Sequence, residues 1–240
     1  MNAPALALVV VPFRAPVVAL CRAPVVALCR ALALGLAVAA CSGRPPAAPP
    51  VQPPAAPAPA ASDQLLAPAQ FDVIADRTQR SQALFVEASR VLTHARCVNC
   101  HPPDDTPRQG EAHVPHDPPV LRGADDHGIS ALGCVTCHQD RNAELARIPG
   151  APDWHLAPRS MVWLGKSPAE ICTQLKDPAR NGGRTLAQVH DHVAHDGIVA
   201  WGWRPGADRA AAPGSQAQLA ALVQAWIDTG AACPTEEIKR

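Results

Sequence analysis

Residues 95–101 read Ala-Arg-Cys-Val-Asn-Cys-His, and residues 133–138 read Gly-Cys-Val-Thr-Cys-His. Two thiols three positions apart, followed at once by an imidazole, form the C-x-x-C-H signature of covalent haem attachment. Two thiols at this spacing reach the two vinyl groups on one porphyrin edge, and the adjacent His turns its ring under the iron. The first motif assigns Cys97 and Cys100 to thioether bonds and His101 to the iron; the second assigns Cys134, Cys137 and His138 in the same way. The cofactors expected are two haem c groups. A Cys₄ zinc site fits the paired C-x₂-C spacing loosely, but zinc requires no His directly after each pair.

Working outward, the flanking chain is unusual for a globular domain. Aromatic residues make up 3%, with no Tyr, so large side chains for a core are scarce and a buried macrocycle would supply the missing apolar mass. Residues 101–128 and 139–166 are rich in Pro, Gly and Asp and read as loops long enough to need a cofactor to pack against. Helices are expected where the apolar residues fall at helical spacing. Thr78–Arg96 carries Leu84, Phe85, Ala88, Val91 and Leu92 and runs into the first motif. Ser167-Pro168-Ala169-Glu170 is a capping box starting a helix to about Lys176. Thr185–His195 reads as a short helix, and Ser215–Gly230 as the clearest one, with a Ser cap and a Gly stop. No segment reads as a convincing strand. The fold class expected is mainly α, cytochrome c-like, with short helices and long loops packed around two covalently bound c-type haems.

Each iron needs a sixth ligand or an open face. Beyond the first residue the chain has one Met, Met161, so two His/Met irons are excluded. Among the spare histidines, His116 lies in a Pro-flanked loop and His195 follows His192 on one helical face before Asp196 and Trp201-Gly202-Trp203. These two rank first as distal ligands, ahead of His155 and Met161. Arg122, Arg159, Arg184 and Arg204 are candidates for the haem propionates.

The amino-terminal region reads as an export signal. Arg14, Arg22 and Arg30 precede Ala31–Ala40, an uncharged apolar run too short to span a bilayer. It ends in Val38-Ala39-Ala40-Cys41, which resembles a lipobox with Cys41 as the lipidated residue. Arg14–Cys21 repeats perfectly as Arg22–Cys29, and no function attaches to that repeat. Residues 44–62 are nearly all Pro and Ala, a semi-rigid tether of roughly 50–60 Å in polyproline II geometry. The organisation expected is therefore a lipoprotein-type signal peptide (1–40), a lipid-anchored Pro/Ala-rich linker (41–62) and a dihaem cytochrome c domain (63–240). The location expected is the periplasm, at a membrane. Of nine Cys, Cys172 and Cys233 remain after the signal region, the lipobox and the motifs, an even remainder that reads as a disulfide in an oxidising compartment. With 21 basic and 21 acidic residues, nothing favours nucleic acid as a partner.

The stretch from Cys97 to Pro234 also resembles a known family. The matching pieces are HDPPVLRG, PGAPDWHLAP with SMVWLGKS, ICTQLKDPARNGG, HVAHDGIVAWGW and the closing WIDTGAACP. Together they resemble the small dihaem cytochromes called isoquinoline 1-oxidoreductase subunits. That resemblance implies electron transfer beside a molybdenum hydroxylase-type dehydrogenase, and adds weight to His116, His155, Met161 and His195. The function expected is a dihaem electron carrier passing electrons from a dehydrogenase or hydroxylase to a respiratory chain, not an independent catalyst. A peroxidase-like dihaem enzyme or a haem sensor, with one open iron, is the alternative.

Overall fold

The computed structural model describes residues 63–235, so the signal segment, the Pro/Ala linker and Cys41 lie outside the described residues. The helical half is built on α1 (Arg77–Leu92), which Asp76 caps by accepting from Gln79 N at 2.8 Å. Its apolar stripe, Leu84, Phe85, Ala88, Val91 and Leu92, is buried against Leu219, Leu222, Val223 and Trp226 of α6 (Gln216–Asp228). Phe85 and Trp226 meet with centroids 5.0 Å apart. Ser81, fully buried on α1, donates to the Trp226 carbonyl and accepts from Ala232 N, which satisfies backbone groups past the end of α6. α3 (Pro168–Lys176) and α4 (Leu186–His195) pack beside this pair and complete the core with Ile171, Leu175, Val189 and Val193. Among the described residues no helix is long and apolar enough to cross a membrane.

The first helix is shorter than its sequence pattern suggests. Thr93 turns its hydroxyl back to the Ser89 carbonyl, and His94 adopts an extended backbone while its ring accepts from Arg96 N. His94 thereby caps a separate one-turn helix, α2 (Ala95–Val98), which carries Cys97. Another short helix, α5 (Gly197–Trp201), follows α4 directly because Asp196 caps it through Ile198 N and Val199 N.

The other half is loop, relieved by two antiparallel ribbons that local sequence did not reveal. β1 (Arg108–Gln109) pairs with β2 (Val114–Pro115), and β3 (Gly128–Ile129) with β4 (Leu132–Gly133). Each strand is two residues long, too short for alternation to be visible. From residue 103 to residue 149 the only buried side chain is that of Arg122. A segment of this length without buried apolar contacts has no core of its own to offset its ordering. The described residues are thus mainly helical with two small sheets.

Candidate functional site

Two cavities open beside the two C-x-x-C-H motifs. The first has an empty volume, mouth included, of about 1100 Å³, and Cys97, Cys100 and His101 line it together with Leu175, Val193 and Leu219 from the helical core. The second measures about 1060 Å³ in the same sense, and Cys134, Cys137 and His138 line it with Ile148, Pro149 and Trp154. Both have the largely apolar walls of cofactor sites.

The two motif histidines are held in the same way. His101 Nδ1 donates to the Met161 carbonyl at 2.9 Å, and its ring stacks on Trp163 with centroids 3.6 Å apart and 5° between planes. His138 Nδ1 donates to the Pro149 carbonyl at 2.8 Å and stacks on Trp154 at 4.6 Å and 7°. Tying Nδ1 leaves Nε2 as the nitrogen with the free lone pair, and the indole fixes the ring plane. Burial pushes His101 down to about 3 and also lowers His138, so both rings stay neutral and able to ligate.

A second imidazole shares each cavity. His116 Nδ1 donates to the Pro118 carbonyl at 2.8 Å, and its ring stands 5.8 Å from that of His138, centroid to centroid. Two imidazoles bound to one metal through nitrogens about 2.0 Å from it have centroids about 6 Å apart, close to the separation seen. In the first cavity the second ring is His192, whose Nδ1 lies 3.1 Å from Asp196 Oδ2. That contact holds the Asp196 carboxyl down at about 2 and fixes the His192 tautomer.

The other distal candidates divide between the cavity walls and the surface. His195 points outward, its side chain 74% exposed and 3.7 Å from Asp191, and it lines neither cavity. Met161 lines the first cavity, but its carbonyl receives the His101 Nδ1 proton, which puts its backbone behind that ring. His155 lines both cavities; its Nδ1 donates to the Asp153 carbonyl and its ring stacks on His127. Of the Trp pair, Trp201 packs edge-on to Trp154 and Trp203 donates to the Pro213 carbonyl.

Sequence reasoning overlooked two arginines. Arg96 lines the first cavity, pairs with Glu111 and leaves a buried Nε without a hydrogen-bond partner. Arg209 lines the second, where burial and the nearby charges of Arg96 and Arg147 lower its pKa. By contrast Arg122 is committed to Asp105, Asp126 and the Ala157 carbonyl, and Arg159 to Asp105. Arg184 lines the first cavity while donating to the Asn181 carbonyl, and Arg204 is exposed. Arg96 stands immediately before the first motif, a position that could have raised suspicion.

Cys172 and Cys233 are joined, with Cα atoms 5.5 Å apart, and none of the four motif cysteines is in a disulfide. Burial pushes the Cys97 thiol up to about 12 and Cys100 to about 11, so neither is poised as a thiolate nucleophile. The four thiols do not gather into one ligand set; among the described residues the one such grouping is His127, Asp153 and His155. The two cavities are neighbours, since Cys100 feels the charge of Cys134, Ala157 N donates to the Cys100 carbonyl, and His155 walls both. No family model, no curated protein and no solved structure matches the chain.

Proposed function

We propose that the protein is a dihaem c-type cytochrome that carries electrons on the outer side of a bacterial membrane. The observation that carries this reading is the duplicated arrangement: two motif thiols, an Nδ1-tethered His on an indole, and a second tethered His across the same cavity. Three features of the structure fit a macrocycle with two carboxylates. Arg96 Nε and Trp163 Nε1 are buried beside the first cavity without partners, a donor surplus that an acidic cofactor satisfies. Arg209 sits among like charges at the second cavity, where an anion would relieve it. The segment 103–149 buries no apolar side chain, and an apolar cofactor gives it something to pack on.

When bound, each haem supplies one reversible electron at its iron. Cys97, Cys100, Cys134 and Cys137 would hold the groups covalently. His101 with His192, and His138 with His116, would hold the irons through imidazole nitrogens. Two imidazoles per iron would favour electron transfer over ligand activation, because they would leave no iron position for a substrate. Trp163 and Trp154 hold the motif rings in plane, so the ligand set changes little between oxidation states. The resemblance to isoquinoline 1-oxidoreductase subunits makes a molybdenum hydroxylase-type dehydrogenase the donor to test, with a respiratory chain as acceptor.

The decisive measurement is covalent haem content by pyridine haemochrome. The intact protein should carry two haems, Cys97→Ala/Cys100→Ala one, and Cys134→Ala/Cys137→Ala one. Two covalent haems in either double variant would sink the reading, since no other thiol lines the cavities.

A further inference from the structure

Outside the paired imidazoles, a third cluster of ligating side chains stands where the two long loops meet. His127 Nε2 lies 3.0 Å from Asp153 Oδ1 while its Nδ1 donates to the Asp125 carbonyl; His155 Nδ1 donates to the Asp153 carbonyl, so Nε2 is the ligating nitrogen of each ring. The two imidazoles stack with centroids 4.8 Å apart and 25° between planes. One ligand atom from each of the three residues falls within 4.8 Å of the other two. The cluster is held by backbone as well as by its own contacts. The His127 carbonyl accepts from Cys134 N at 2.8 Å, and the Asp126 carbonyl accepts from Leu156 N at 3.0 Å. Asp126 and Asp153 both hold left-handed backbone, φ 68° and 56°, which Asp tolerates better than most residues but still at a cost.

We infer that His127, Asp153 and His155 form a metal site for a divalent transition ion, distinct from the paired imidazoles and not part of the dihaem reading. Two imidazole nitrogens and one carboxylate oxygen are borderline donors, suited to Zn²⁺, Cu²⁺ or Ni²⁺ and poorly suited to Ca²⁺ or Mg²⁺, which take oxygen. Three protein ligands leave coordination positions for water. Asp153, 72% exposed at its side chain, makes the solvent side of the site, so the ion exchanges with solution. The ion replaces the His127–Asp153 hydrogen bond by two metal bonds and staples the loop before the second motif to the loop after it. Because His155 walls both cavities, the added positive charge lies next to both and raises the midpoint potential of whatever redox group they hold.

The test uses the full-length, haem-loaded protein, stripped with EDTA and dialysed against Zn²⁺, with Cu²⁺ as the spectroscopic probe. The expected result is one Zn²⁺ per chain, with affinity reduced at least tenfold in His127→Ala, at a half-buried position, and again in Asp153→Asn, at an exposed one. Bound Cu²⁺ should show nitrogen splitting from two imidazoles, falling to one in His127→Ala, while the haem spectrum stays low-spin throughout. Absence of a Zn²⁺ ion beyond the iron overturns the site, as does an affinity unchanged in both variants, which would mean adventitious surface binding. A high-spin haem appearing on Zn²⁺ addition also overturns it, since His155 would then be an iron ligand. Haem content on the same samples separates the two ideas: Zn²⁺ bound without haem keeps this site and sinks the dihaem reading, and two haems without Zn²⁺ do the reverse.

Discussion

His192 and His195 lie within one turn of α4, and their roles diverge because of where the apolar stripe falls. At about 100° per residue, His192 stands about 80° from the midline of Val189 and Val193, whereas His195 stands about 140° away. Val189 and Val193 are buried, so His192 reaches the cavity edge and His195 faces water. Periodicity thus separates the two rings: His195, one of the two ranked first from sequence, lines neither cavity, and His192 lines the first. Asp196 holds His192 with Oδ2 while Oδ1 caps α5, so one side chain orients an imidazole and starts a helix. At this scale, replacing His116 or His192 by Ala should turn one haem high-spin, and His195→Ala should leave the ferric and ferrous visible spectra as they are. A fully low-spin His192→Ala protein would return the sixth ligand of the first haem to Met161 or His155.

The helices themselves were legible because their ends are written in side chains. Ser167 with Glu170, Thr185 with Gln188, and Ser215 each accept from the N3 amide, and the helices begin one residue later, as capping chemistry requires. The break between α1 and α2 was not legible, because the Thr93 and His94 side chains that make it bond to nearby backbone in a way apolar spacing does not register. The disulfide ties α3 to the tail after α6 across 61 residues of sequence. In the chain-entropy account a closed loop of that length stabilises by about 4 kcal/mol. Cys172→Ala/Cys233→Ala should therefore lower the guanidinium unfolding free energy by roughly that amount, with both haems still attached. A change below about 1 kcal/mol would mean that residual structure already restricts that loop in the unfolded ensemble.

Within the described residues the two cavities differ. The first cavity is cut into the helical core, while the second is walled by loops, with Cys137 exposed and Val135 and Leu145 at the surface. On the dihaem reading, burial in apolar surroundings beside the Arg96 cation would disfavour the extra charge of a ferric centre. Potentiometry should accordingly resolve two midpoints, the higher one lost in Cys97→Ala/Cys100→Ala. The same asymmetry bears on stability: Cys134→Ala/Cys137→Ala should make residues 103–149 sensitive to limited proteolysis while the helical half stays resistant. Equal protection of both halves in that variant would show that the loops order without a cofactor.

Read alone, the chain settles what is local. The reach of two thiols and a His along five residues, the caps of α3, α4 and α6, and the poverty of aromatic residues all follow from neighbours in sequence. Tertiary structure decides the rest, because the opposing groups come from far away. His116 meets His138 only once the loop between the motifs has folded back on it, and His192 reaches the first cavity only once α4 has docked on α6. The backbone carbonyls of Met161 and Pro149, which tie the motif rings, carry no sequence signal at all, since every residue has one. Chain neighbours can specify an attachment point; an axial partner depends on packing, which only the folded core supplies.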